Sequence, residues 1–360
     1  MKKLLLNVHL CLGLVAAVFL VILSVSGAII AFEDEINRAL NPGMLRVQPL
    51  GQRLSWDEVR TRVEQQEPGW RLIRLYLPQH DDDSLYVRLR SARDHRIKHF
   101  YVNQYTGRVL GSTDDGNRFT WIAHDLHVKL VSLPGGNSVV VAATLGLLAL
   151  SISGIILWWP RKVFTPKGAT LARFNNDLHR SLGFWSFLAM LIFAVTGLLL
   201  HYQGEGKLLA LMNAKAAPVD SPGHGPSIEG LLQSAGEAAP GARIMRIMLA
   251  VNQGDLVLVQ AAYPEDHTPA GRTYINLDPA SGRPLTVSSS RNSPLFYTIV
   301  VQWNRELHTG TLLGTPTKIL VSILSLLLAV LAITGPMIWV NKQLAAARGR
   351  RAVQQRARSA

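Results

Sequence analysis

Four stretches of the chain, 10–32, 139–160, 182–202 and 319–340, contain no Asp, Glu, Lys or Arg. Each is long enough to cross a hydrocarbon layer of about 30 Å as a helix. Between the first and second runs the pattern changes. "SWDEVRTRVEQQEPGW" has the 3.6-residue period of an amphipathic helix, and "RLIRLYLP", "SLYVRLRS" and "KHFYVNQYTGRVL" alternate as strands around a Thr-Gly turn. The same succession follows the third run: "SIEGLLQSAGEAAPGA", then "RIMRIMLA", "DLVLVQAAY" and "RTYINLDPASGRPL". The pattern predicts an α-helical membrane protein with four transmembrane helices in two parallel repeats, plus two small external α+β modules. Transmembrane helix 1 is expected over 1–32, module 1 over 33–121, an edge segment and helix 2 over 122–160, and a loop over 161–180. Helix 3 is expected over 181–202, module 2 over 203–293, an edge segment and helix 4 over 294–340, and a basic tail over 341–360.

The repeat is visible residue by residue. His9, Gly13 and Ser26-Gly27 match His179, Gly183 and Thr196-Gly197 at a spacing of 170, and Leu126-His127, Gly154 and Trp158 match Leu307-His308, Gly335 and Trp339 at 181. Each half is a helix in, an external module and a helix out, which relates the halves by an axis along the membrane normal.

Charge then sets orientation. The formal net charge is +13, which by itself would suggest nucleic acid. Thirteen basic residues sit in the N-terminus, the 161–180 loop and the tail, opposed there only by Asp177. Nearly the whole excess therefore flanks the spans, marking those segments and both termini as cytoplasmic and leaving nucleic acid without support. The first uncharged run exceeds the 7–15 residues usual in a cleaved signal. Cys11 is the only cysteine, and there is no C-x-x-C-H attachment sequence.

The order of an H-x-x-L-G helix, an α+β module ending in a T-G-R turn, an LH-initiated helix ending in SG…WWP, an HRSLG helix, a second module and an LHTG-initiated helix resembles the PepSY-associated transmembrane proteins. Within them it is most similar to the inner-membrane haem-containing ferric-siderophore reductases of ferrioxamine type. The resemblance implies a multi-pass protein of a bacterial inner membrane, two PepSY-like periplasmic modules, and an oxidoreductase that releases iron as Fe(II) during iron uptake. Its partners would be a ferric siderophore, the lipid bilayer, and a quinol or another membrane electron donor.

The histidines fit that expectation. His9 and His179 begin two spans at the cytoplasmic edge, and His127 and His308 precede the returning spans at the external edge. His201 ends the third span, where the first half has Ala31. Neutral imidazole is a common axial ligand of haem iron. The duplicated pairs His9/His179 and His127/His308 would hold two b-type haems non-covalently, with His201 a substitute for an outer ligand or a lining of the substrate site. His179 and His201 stand about 33 Å apart at the helical rise, too far to serve one cofactor. His124, one turn before His127, could bind a metal with it. Tyr105, Arg108 and Arg283 at the module turns are candidates to line the substrate site. Trp158, Trp159, Trp303 and Trp339 read as an interface belt, and the Ser/Thr-Gly pairs as close helix packing. No G-x-G-x-x-G follows a strand, so a nucleotide site is not expected. Transport by this chain alone is disfavoured by the lack of ionisable residues in the spans other than these histidines. The competing class is a non-enzymatic PepSY-type protein that binds a peptide or protease or acts as a regulator.

Overall fold

A computed structural model describes residues 2–112, 119–130, 133–204, 226–250, 254–266, 271–295, 298 and 303–359. The chain divides into two compact units, one made of 1–32, 119–206 and 307–360, the other of 33–118 and 207–306.

The first unit is helical. It contains α1 (Lys2–Ile30), α5 (Phe119–Lys129), α6 (Gly136–Trp158), α7 (Leu171–Gly204) and α10 (Thr315–Ser359), with part of the short α9 (Asn304–Thr309) entering it. Four of these are long and apolar enough to cross a membrane. Where they meet, Ala16, Leu20, Leu147, Met190, Ala194, Leu328 and Ala332 form a buried cluster. Their outer faces are equally apolar, with Val15, Val18, Trp185, Leu188 and Ile323 exposed. A helix that is apolar all round is one whose outer face meets lipid.

Two helices outrun their expected spans. Helix α7 begins at Leu171 because Thr170 caps it: its hydroxyl accepts from the Arg173 amide and its carbonyl from the Phe174 amide. Helix α10 runs through Pro336 and the basic tail, whose Ala, Arg and Gln residues are strong helix formers.

The second unit contains α2 (Glu33–Leu40), α3 (Pro42–Leu45), α4 (Trp56–Gln66) and α8 (Ile228–Ala238). Its strands are β1 (Trp70–Tyr76), β2 (Leu85–Ser91), β3 (Ile97–Val102), β4 (Val109–Ser112), β5 (Arg243–Met248), β6 (Val257–Ala262), β7 (Thr273–Leu277) and β8 (Pro284–Ser288). The two segments expected as separate modules share one antiparallel sheet of order β4-β3-β2-β1-β5-β6-β7-β8. The seam is short: Leu75 lies opposite Ile247 and Tyr76 opposite Arg246. One face packs Leu75, Leu85, Val87, Leu89, Ile247, Val259, Ile275 and Leu277 against Val59 and Val63 of α4 and Leu231 and Ala235 of α8. The Thr106-Gly107-Arg108 turn and the Ser281-Gly282-Arg283 turn are geometrically alike. Gly107 and Gly282 both have φ +70, and their amides donate to Asn103 and Asp278 at 2.8 Å, a left-handed conformation that glycine adopts without steric cost.

The N-termini of α4 and α8 cap each other. Asp57 accepts from the Ile228 amide at 2.9 Å, and Glu229 from the Trp56 amide. Burial, then the hydrogen bond to Glu229, raises the Asp57 carboxyl above its ordinary value. Burial works against Glu229, but its hydrogen bonds to Asp57 and the Trp56 amide hold it below its own. The Asp57 contribution to stability is complete below its ordinary value and is lost as pH rises through the raised one. The Glu229 contribution is complete above its ordinary value and is lost as pH falls through the lowered one. Thermal unfolding of the full protein should therefore show this unit gaining stability on acidification from neutral pH into the carboxylate range. Asp57→Asn, which keeps an acceptor for Ile228 and a donor for Glu229, should remove that gain and leave the neutral-pH stability within about 1 kcal/mol.

Candidate functional site

The edge histidines obey one rule of contact. Each lays its ring on a Ser/Thr-Gly pair of the partner helix in its own half. His9 Nδ1 lies 2.8 Å from Ser153 Oγ, His179 Nδ1 2.9 Å from Thr334 Oγ1, and His308 Nδ1 2.9 Å from Thr196 Oγ1. His127 Nδ1 lies 2.9 Å from the Leu23 carbonyl and 3.4 Å from Ser26 Oγ. The glycine beside each hydroxyl lets the ring approach: a Cβ on Gly154, Gly335, Gly197 or Gly27 would stand 3.4, 3.2, 3.2 or 3.0 Å from the respective imidazole Cε1. Thus His9 ties α1 to α6 and His127 ties α5 to α1, while His179 ties α7 to α10 and His308 ties α9 to α7.

These bonds fix the tautomer. Each hydroxyl already donates its single proton to a carbonyl one turn back: Ser26 to Ile22, Ser153 to Ala149, Thr196 to Ile192 and Thr334 to Val330. Its oxygen can then only accept, so Nδ1 carries the imidazole proton and donates it. The Leu23 carbonyl imposes the same choice on His127. In all four rings Nε2 keeps its lone pair, and a hydrogen bond from Nδ1 orients the ring, as in metal-ligating histidines generally.

The structure brings His127 and His308 together. The His127 and His308 rings have centres 6.0 Å apart, with planes inclined at 59°. A ligating imidazole nitrogen sits roughly 2 Å from a metal and about 1 Å from its own ring centre, so two rings on opposite sides of one metal have centres about 6 Å apart. The donor set and the spacing fit one iron between them. His9 and His179 are within electrostatic reach of one another. His201 lies in the last turn of α7 with its ring 5.7 Å from that of Tyr202. His124 is exposed, and no group of three or more His, Cys, Asp or Glu suited to a metal ion occurs among the described residues.

The family model of the PepSY-associated TM region matches residues 6–342. The chain belongs to this family. No curated protein matches it.

In this PepSY-associated transmembrane protein the turn residues proposed for substrate do not converge. Arg108 and Arg283 lie in the β3–β4 and β7–β8 turns, at opposite ends of the strand order. The Tyr105 hydroxyl donates to the Asp81 carbonyl at 3.0 Å, which is a structural role. Trp158 is not a belt residue: it is 5% exposed and stacks on Phe184 at 4.0 Å, whereas Trp159 is exposed. His80 pairs with Asp83 at 3.1 Å, and His224 and His267 lie outside the described residues. Sequence reasoning read the Ser/Thr-Gly pairs as helix packing and missed that the hydroxyls of Ser26, Ser153, Thr196 and Thr334 meet the histidines. Their signal was available: Ser26 and Thr196 recur at 170, the spacing of His9 and His179, and Ser153 and Thr334 at 181, the spacing of His127 and His308.

Proposed function

We propose that the protein is an inner-membrane di-haem oxidoreductase that passes electrons to a periplasmic ferric siderophore and releases iron as Fe(II), with both termini cytoplasmic. The observation that carries this reading is the closeness of His127 to His308, each ring held by its Nδ1 bond, in a chain that repeats the Nδ1 contacts at His9 and His179. On this reading His127 and His308 hold an outer b-type haem and His9 and His179 an inner one. Haem supplies reversible one-electron transfer when bound.

The chain's part is to hold the axial nitrogens at fixed tautomer and orientation, to enclose the sites among apolar helices, and to bring a ferric chelate within reach of the outer pair. Reduction loosens the chelate because hard oxygen ligands prefer Fe(III) to Fe(II). A quinol or another membrane donor supplies the electrons. Chain duplication accounts for the paired sites and for the two PepSY-like halves of the external sheet.

The test is a visible spectrum of the detergent-purified protein, oxidised and dithionite-reduced, with haem quantified as its pyridine complex. About two b-type haems per chain are expected from the two ligand pairs. Absence of haem after expression in haem-replete cells would overturn the reading in favour of a peptide- or protease-binding membrane protein.

A further inference from the structure

The face of the sheet opposite α4 and α8 carries an unusual concentration of positive charge at its centre. Strand alternation puts Arg74 and Tyr76 of β1, Tyr86 and Arg88 of β2, and Arg246 of β5 on this face. In the ladder Arg74 stands opposite Arg88, Tyr76 opposite Tyr86, and Arg246 opposite Tyr76 across the seam. The guanidinium carbons of Arg74, Arg88 and Arg246 lie 5.9, 5.5 and 5.6 Å from the centre of the Tyr76 ring, and Arg74 donates to the Tyr76 hydroxyl at 3.1 Å.

Nothing in the described residues balances this charge. None of the three arginines has a carboxylate partner, and the Nε atom of each is buried without a hydrogen-bond partner. Like charges directly opposite in a ladder are destabilising, and buried guanidinium nitrogens left unpaired cost more. Burial lowers the pKa of Arg246. For Tyr76, burial raises the hydroxyl, but the charges of Arg74, Arg88 and Arg246 outweigh it and hold the group below its ordinary value. An arrangement that costs stability on an otherwise well-paired sheet has the form of a site awaiting a counter-charge. The side chains are only partly buried, so the face admits a ligand. Beside the guanidiniums, Tyr86 packs its ring 4.9 Å from Tyr76 and 5.1 Å from Tyr101, the planes inclined at 54° and 42°, an aromatic cluster next to the charge.

We propose that Arg74, Arg88 and Arg246, gathered around Tyr76 at the β1–β5 seam, form a binding site for an oxygen-rich polyanion, specifically a metal chelate bearing free carboxylate or catecholate oxygens. Planar guanidiniums bind such oxygens bidentately. The anion site stands on the sheet geometry alone; its use for an iron chelate rests on the function proposed above, and narrows it to anionic chelates.

The experiment is calorimetric titration of the full-length protein in detergent with gallium(III) citrate, which is not reduced under these conditions and so reports binding whether or not haem is present. Free citrate and inorganic phosphate are run alongside. Saturable, salt-weakened binding of gallium citrate is expected, tighter than that of citrate or phosphate, and weakened at least 10-fold in both Arg88→Gln and Arg246→Gln with haem content unchanged. Three results would overturn the proposal: no saturable binding by the wild type, equal affinity in both variants, or phosphate bound as tightly as the chelate. A protein that binds the gallium chelate through these arginines yet lacks haem would sink the reductase reading and leave the anion site standing.

Discussion

His308→Ala is expected to lower the haem of the purified protein from about two per chain to about one, since an axial ligand and its fixed tautomer are lost together. His127→Ala should have the same effect. The two ring centres lie 6.0 Å apart; on the proposal that they hold one haem, the double variant should lose no more than either single one, which is the non-additivity expected of residues acting as a unit. His9→Ala or His179→Ala should remove the other haem, and combining an inner with an outer substitution should leave the protein haem-free. Membrane insertion should survive in all of them, because the spans depend on apolar length and not on these edge residues. The measurement is pyridine haem per chain with reduced-minus-oxidised spectra. Wild-type haem in both outer single variants would refute the assignment.

Filling the glycines should be nearly as damaging without touching a ligand. Gly27→Leu is expected to cost the outer haem and Gly335→Leu the inner one, each lowering haem affinity by more than about 10-fold. A Cβ alone would reach 3.0 Å from the His127 ring and 3.2 Å from the His179 ring, and the leucine branches must then push the imidazole off its Nδ1 acceptor. A packed helix interface takes up added methylenes poorly. Gly183→Ala supplies the contrast: its Cβ would meet nothing closer than Leu331 at 3.9 Å, so both haems should remain. Equal haem loss in Gly183→Ala and Gly27→Leu would show that general helix packing, and not the seat of the ring, governs retention.

These contacts also mark how far the sequence could be read. Charge-free length revealed the candidate spans, and period-two alternation revealed the strands of both inter-span segments, because each follows from local chain geometry. The duplicated histidines revealed the candidate ligands. Which helix each histidine leans on is a matter of tertiary packing: Ser153 is 144 positions from His9, and no local pattern joins them. The shared sheet was hidden for a similar reason. Strands β1 and β5 have the same alternation, and no turn connects them to set a register. Trp158 was misread because a tryptophan at a span end has the same sequence signature whether it faces lipid or stacks on Phe184. The arginines at the seam were visible as "RLIR", "VRLR" and "RIMR", but their convergence needed the pairing of three strands.

The β1–β5 seam has a further consequence for how the protein is made. Strand β1 has β2 as its only neighbour until residues 243–248 have been synthesised, more than 160 positions later in the chain. Throughout that interval its outer edge is an unpaired row of amide and carbonyl groups, the kind of edge that recruits foreign strands. The two halves, although alike enough to suggest duplication of a single unit, are thereby bound to one polypeptide. A nascent chain halted after the third span would carry an open edge that only its own continuation is shaped to close.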